Sequence, residues 1–309
     1  MGKHNKKIKI IFLIINFILI FTISYFIFKE YNIYNNKTII NNKNKINIQK
    51  IDSEKNNILK EIDELKENIT NIREIDKTIN NKKEEVFKLA SELEKKIKNK
   101  ESDKKIIYLT FDDGPYYNTY KVLNILKKYN VKATFFTTNV NGNNCYDNPS
   151  YNCHLLYKEI AKDNHTIANH TYSHGWNRGL YASANSFMDA IIKQEELIKS
   201  YTGITTNITR FPGGSNTAGS RKNLIIEELR KRNYGWVDWT AEDGDGSNLS
   251  NYNQGWSKLM NTVTDDIEVV LFHDYHPVTT QILPNFIEYL EKNNYIILPL
   301  FYDSVMINK

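Results

Sequence analysis

The chain has 309 residues and a formal net charge of +5, a length that suits one large domain or two modest ones. Its basic residues are spread along the chain rather than gathered into a stripe, which argues against nucleic acid as a partner. With only two cysteines and one adjacent histidine, His154, a thiolate metal cluster has too few ligands.

The first element is an apolar run from Ile10 to Phe28, preceded by Lys3, Lys6, Lys7 and Lys9. At about 1.5 Å per residue it nearly matches a hydrocarbon core of roughly 30 Å. The lysines predict a cytoplasmic N-terminus (1–9), a transmembrane anchor (10–28) and everything after it outside the cell. A cleaved signal peptide is the competing reading, but the run ends in FTISYFIFKEYN without an Ala-x-Ala-like site.

From about Ile48 to Ile97 apolar residues recur every seven positions. Ile58, Leu65, Ile72, Ile79, Val86 and Leu93 share one heptad position, and Ile62, Ile69, Ala90 and Ile97 share the other, with Asp76 and Lys83 as polar breaks. This pattern predicts a helical coiled-coil stalk over 29–104, able to pair in a homodimer. A single solvated helix or a polar spacer would account for the same composition.

After Lys105 the texture changes to short β-rich runs alternating with amphipathic helical ones. IIYLTF, VKATFFT, HTIANH, ITRFP, YGWVDW, IEVVLFH and YIILPL give seven strand candidates. Such alternation predicts an α/β domain over 105–309 with a mainly parallel sheet and barrel-like curvature. Cys145 and Cys153 flank an Asn/Gly/Pro-rich loop, where an extracellular setting predicts a disulfide and the alternative is two free thiols.

Chemistry-bearing residues gather at the ends of the strand candidates. TFDDGP places Asp112 and Asp113 side by side before a Gly-Pro turn. In an ideal strand they point to opposite faces, which predicts a division of labour. ANHTYSH places His170 and His174 four apart, a spacing that on a helical turn sets two imidazoles on one face and, with one aspartate, makes an open His-His-carboxylate metal site. TRFPGG delivers Arg210 before a turn, and VVLFHD delivers His273 after an apolar run.

In this order TFDDGP, HTYSH, RFPGG, VDWTAEDGD and LFH resemble the five motifs of the polysaccharide deacetylase family, also called NodB-homology or carbohydrate esterase family 4. The resemblance covers about 105–305 and implies a distorted (β/α) barrel that removes acetyl groups from polysaccharides with a divalent metal, usually zinc, with Co, Ni or Mn as alternatives. It further implies Asp112 as base, Asp113, His170 and His174 as metal ligands, His273 as general acid and Arg210 as the residue that orients the base. Pro212 and Gly213 match the third motif, where the family often carries a tyrosine whose backbone N–H assists the oxyanion. Trp239 and Leu271 would line the acetyl pocket. The fourth motif is looser: the aspartate that tunes His273 could be Asp245, Asp238 or Asp243, with Asp245 preferred.

An anchor, a stalk and an outward-facing domain point to N-acetylglucosamine of peptidoglycan as the substrate. A secreted exopolysaccharide, chitin oligosaccharides and acetylxylan are alternatives within the same chemistry, and a catalytically silent glycan-binding protein is the alternative outside it.

Overall fold

A computed structural model describes residues 18, 20–29, 44–175, 179–247 and 249–309 of the chain. Of the proposed span 10–28, residues 10–17 and 19 lie outside those described. Among the described residues no helix is long and apolar enough to cross a membrane. The chain divides into two compact units, 1–85 and 86–309.

Of the expected stalk over 29–104, residues 30–43 lie outside those described, and residues 44–98 form one helix, α1 (Asn44–Lys98), without Pro or Gly to interrupt it. Its residues from Val86 onward belong to the second unit, which therefore begins ahead of the composition change near 105. There Ala90 and Ile97 are buried, Leu93 packs beside them, and Phe87 stacks on Phe301 at 4.8 Å between ring centroids. Glu94, also fully buried, accepts from Tyr108 Oη at 2.6 Å, Ser304 Oγ at 2.5 Å and the Val305 N–H at 3.0 Å. Three donors satisfy the carboxylate, so the helix end is joined to the domain by polar and apolar contacts together.

The second unit is a curled parallel sheet wrapped by helices. Its strands are β1 (Lys105–Asp112), β2 (Thr134–Thr137), β5 (Thr166–Asn169), β6 (Ile208–Thr209), β7 (Gly235–Trp236), β8 (Ala241–Glu242), β9 (Ile267–His273) and β10 (Tyr295–Leu298). The order is β7-β6-β5-β2-β1-β9-β8, with β10 paired to the first half of β1. An eight-stranded sheet replaces the seven candidates because Ala241–Glu242 makes its own pairing to β9, separate from Gly235–Trp236. Between β2 and β5 the chain adds an antiparallel hairpin, β3 (Asn144–Cys145) and β4 (Asn148–Asn152). Cys145 and Cys153 are joined as a disulfide across it.

Strand alternation sorts the core. Ile107, Leu109 and Phe111 of β1 join Phe135, Val270 and Phe272 under the helices α2 (Thr119–Lys128), α3 (His154–Lys162), α6 (Tyr252–Thr262) and α7 (Pro277–Lys292). Ile106 and Tyr108 face the other way, into a cluster with Phe136, Ala168, Val237, Val269 and the end of α1. A third cluster packs α4 (Ala184–Thr202) against α5 (Lys222–Lys231) through Phe187, Ile191, Ile225 and Leu229. Each such fully buried aliphatic or aromatic side chain contributes about 1.5–3 kcal/mol. Period-two alternation puts Thr110 and Asp112 on the face of Ile106 and Tyr108, so a carboxylate enters the interior at the strand's C-terminal end.

Candidate metal centre and active site

Parallel pairing brings the strand ends to one mouth. Asp112 is in register with both His273 and Phe136, Thr137 with Asn169, and Asn169 with Thr209. The residues that follow β5 and β6, His170 and Arg210, therefore arrive beside Asp112 without any long reach. In parallel α/β sheets this carboxyl end is where reactive groups collect.

Asp112 and Asp113 do not alternate as an extended strand would have them. The strand stops at Asp112, and Asp113 takes the left-handed conformation at φ 71°. The turn returns its carboxylate toward the same mouth: His170 Nε2 lies 3.5 Å from Asp112 Oδ2 and 3.4 Å from Asp113 Oδ1. The histidine spacing also works otherwise than on a helical turn. His170 to His174 is a loop, with Thr171 at φ 65° and His174 at φ 44°. It is pinned where the Thr171 N–H donates to Asn169 Oδ1, the Tyr172 N–H to Ala190 O and the Asn139 N–H to Tyr172 O. The two imidazoles still meet, 4.9 Å between centroids. Left-handed non-glycine residues clustered at one site are strain held in place by the surroundings, as functional sites commonly show.

Asp113, His170 and His174 fit a divalent cation. One ligand atom from each lies within 4.8 Å of the others, with His174 Nε2 3.0 Å from Asp113 Oδ1. That Oδ1 is buried and has no hydrogen-bond donor, an orphan acceptor between two imidazole nitrogens. His170 Nδ1 is 2.8 Å from Arg210 O, which makes Nδ1 the donor and turns Nε2 toward Asp113. Burial, reinforced by His170, pulls His174 down to about 4. Burial alone would raise the Asp113 carboxyl, but His170, His174 and His273 outweigh it and hold it well below the usual range. A neutral His174 and an ionised Asp113 are in the protonation states a metal requires of its ligands.

Arg210 is fully buried rather than a surface ion pair. Its Nη1 donates to Asp112 Oδ1 and Thr110 Oγ1, both at 2.8 Å, its Nε to Val237 O at 3.2 Å and its Nη2 to Asp238 O at 3.4 Å. The guanidinium also stacks on Phe136, 4.2 Å from the ring centroid. Burial lowers the Arg210 pKa against the pull of Asp112. This planar fork fixes one oxygen of Asp112 and leaves the other, Oδ2, toward His170.

Of the three aspartates offered by the fourth motif, Asp245 is the one that reaches His273, through both ring and backbone. Asp243 is one step removed, accepting from the Asp245 N–H at 3.0 Å, and burial beside Asp245 pushes its carboxyl up. Asp238 instead holds the turn after Arg210, accepting from Ser215 N–H at 2.9 Å and Ser215 Oγ at 2.5 Å. Gly213 stands exposed in that turn at φ 75°, and Pro212 O accepts from Tyr181 Oη. Trp239 is half-buried, with its ring against Gly214, and Leu271 is buried in β9.

Several supporting residues escaped the sequence reading. Thr279 Oγ1 donates to Asp245 Oδ2 at 2.6 Å. Asp274, immediately after His273, is fully buried, accepts from Thr119 Oγ1 at 2.6 Å, and is pushed up to about 8 by burial. The hairpin's Asp147 accepts the N–H groups of Tyr117 and Asn118 at 2.8 and 2.9 Å. Only the place of Asp274 beside His273 in the sequence could have signalled its part.

A curled parallel (β/α) half-barrel carries at its mouth a His-His-Asp set able to hold a metal ion, a buried Arg-Asp pair and an Asp-His pair, an arrangement that suits a hydrolase. The polysaccharide deacetylase family model matches residues 99–230. A solved catalytic domain of peptidoglycan N-acetylglucosamine deacetylase from Eubacterium rectale is 34% identical, with a TM-score of 0.60, over 67% of this chain and 93% of that one. A peptidoglycan-N-acetylglucosamine deacetylase of Bacillus cereus is 29% identical over 69% of this chain and 78% of its own length. A peptidoglycan-N-acetylmuramic acid deacetylase of Bacillus subtilis is 32% identical over 44% of this chain and 47% of its own length, so the match spans about half of that relative. The chain belongs to the polysaccharide deacetylase family, carbohydrate esterase family 4.

Proposed function

We propose that this chain is a metal-dependent N-deacetylase of cell-wall glycan, acting on N-acetylglucosamine of peptidoglycan and held at the outer face of the cell membrane by residues 10–28. The observation that carries the chemistry is the orphan Asp113 Oδ1 between the Nε2 atoms of His170 and His174, with Asp112 beside it on the Arg210 fork. Asp113, His170 and His174 would hold the cation, zinc in this reading, and when bound it supplies Lewis-acid polarisation of the acetyl carbonyl and a lowered pKa for water.

The chain's own groups supply the proton movements. Asp112, oriented by Arg210, accepts the proton of the attacking water at Oδ2. His273, protonated and held at Nδ1 by Asp245, donates from Nε2 to the sugar nitrogen as the C–N bond breaks. Acetate and a free amine are the products. The N–H of Gly213 offers the developing oxyanion a donor, and Trp239 and Leu271 would wall the acetyl group.

Peptidoglycan as substrate is supported by the two relatives whose names carry its N-acetylglucosamine. The outward location is supported by the lysine-flanked apolar run and by a disulfide, which persists outside the cytoplasm. Pairing of the stalk into a homodimer would use the heptad positions from Ile58 to Val86, because the domain already covers Ala90 and Ile97.

The deciding experiment is acetate release from purified peptidoglycan and from N-acetylglucosamine oligomers by the zinc-loaded chain, beside Asp112→Asn. Release by the wild type, lost in the variant, with free glucosamine in the hydrolysed wall, is the expected result. Free muramic acid instead would move the substrate to the neighbouring sugar, and no acetate from either polymer would sink the reading.

A further inference from the structure

Two clusters of tyrosine lead away from His273 without any part in the chemistry proposed above. Tyr275 lies 5.3 Å from His273 and 5.2 Å from Tyr116 between ring centroids, both tilted. Tyr117, the next residue, is exposed and meets Tyr151 edge-on at 5.1 Å, and Tyr120, also exposed, lies in the first turn of α2 with its N–H donating to Tyr117 O at 3.1 Å.

The second cluster is built on the disulfide hairpin. Tyr151 belongs to β4, the Cys145–Cys153 bond closes the loop around it, and Asp147 grips the backbone of Tyr117 and Asn118. Asn141 Nδ2 adds a donor to Pro115 O at 2.9 Å. The disulfide, the Asp147 carboxylate and the Asn141 bond thus hold the exposed Tyr117 and Tyr120 beside the half-buried Tyr116, Tyr151 and Tyr275, so that partly open aromatic faces are kept in one region. Pyranose rings present faces of C–H groups that stack on aromatic rings, while hydroxyl groups around their rim bond to phenolic oxygen.

We propose that Tyr275 and Tyr116, then Tyr117, Tyr151 and Tyr120, form a continuous track of sugar subsites running from the acid onto the disulfide hairpin. The chain then selects an extended glycan strand over a short one. This inference rests on the glycan deacetylase reading for the direction of the track, and its occupant is the same strand, continuous with the reacting sugar.

The test measures binding as well as turnover. Calorimetric titration of the full-length Asp112→Asn chain with the dimer and the pentamer of N-acetylglucosamine reads affinity without hydrolysis. The pentamer should bind more tightly, and Tyr117→Ala or Tyr151→Ala should shrink that pentamer-over-dimer ratio by about five-fold, while Tyr117→Phe keeps it. Tyr120→Ala, on the exposed face of α2, supplies the same readout should a hairpin variant unfold. Equal dimer and pentamer affinities in the unmodified track, or ratios unmoved by the alanine variants, would overturn it. Wild-type chain that favours the pentamer yet releases no acetate would remove the deacetylase reading and leave the track standing.

Discussion

Asp245 holds His273 twice, with Oδ1 2.6 Å from ring Nδ1 and Oδ2 2.6 Å from the backbone N–H. Burial alone would pull this imidazole down, but the Asp245 hydrogen bond and charge outweigh it and push it up to about 10. A general acid must carry its proton, so the rate should be sustained through neutral pH and fall as pH rises through that value. Asp245→Asn removes the charge, so the alkaline limb of kcat should move to lower pH and kcat should drop about 100-fold, with KM little changed. A pH–rate profile of both proteins checks this; an unmoved limb would assign the tuning elsewhere.

Arg210 and Asp112 form a buried ion pair, and removing one partner strands the other. Arg210→Met should cost about 3–5 kcal/mol in urea unfolding, because Asp112 keeps a buried charge without its fork. Adding Asp112→Asn to Arg210→Met should restore part of that loss, whereas Asp112→Asn alone abolishes turnover and carries a stability penalty of its own by leaving the buried Arg210 cation without its carboxylate. Penalties that simply add would show that the two side chains are energetically independent.

Chelation separates the site from the fold. The three proposed ligands, Asp113, His170 and His174, sit on turns at the mouth, while the apolar clusters of the second unit pack without them. Stripping the divalent metal should therefore abolish acetate release, reversibly on adding zinc, and leave a cooperative unfolding transition. His174→Ala should lower bound zinc per chain by elemental analysis. Full zinc occupancy in that variant would remove His174 from the ligand set.

Much of this site is legible in the sequence, because Asp112, Asp113, His170, Arg210 and His273 each stand at the end of a β-rich run. Local geometry was not. Ideal pleating and helical spacing both failed, at Asp113 and at His174, where left-handed backbone re-aims the side chains. Such φ values are imposed by tertiary contacts, which a one-dimensional pattern does not carry. The heptad rhythm was equally ambiguous: Ala90 and Ile97 satisfy a coiled-coil seam and the wall of a barrel alike, since periodicity reports an apolar face and not what covers it. Asp147, Asp274 and Thr279 sit in loops or at a helix start, with no repeat to mark them.

His165 gives the fold an acid sensitivity of its own. It is buried against Phe135, Nδ1 accepts the Ala133 N–H at 3.1 Å, and burial pulls the imidazole down to about 3. The unfolded chain binds a proton near pH 6.5 and the folded chain does not, so stability is complete above that value and is lost as pH falls toward 3. By pH 4.5 the loss from this residue is about 2–3 kcal/mol. His165→Gln, which keeps an acceptor for Ala133, should flatten the fall of the urea midpoint between pH 6.5 and 4.5. An unchanged slope would place the sensitivity in other groups.

Gly114 and Asp274 tie the turn of the aspartate pair to the strand that carries His273. A Cβ on Gly114 would stand 2.1 Å from Asp274 Oδ2, and Asp274 has little freedom to retreat, being fully buried and bonded to Thr119. Gly114→Ala should displace the turn, costing about 1–3 kcal/mol in stability and at least about ten-fold in kcat, since the base and one metal ligand precede it directly. Trimming the obstacle should relieve the clash, so Gly114→Ala with Asp274→Ala should be less damaged than the two single losses predict together. A double-mutant cycle in urea reads this directly. Additivity within about 0.5 kcal/mol would mean that the two residues do not meet, and that the close approach at this turn has no energetic consequence.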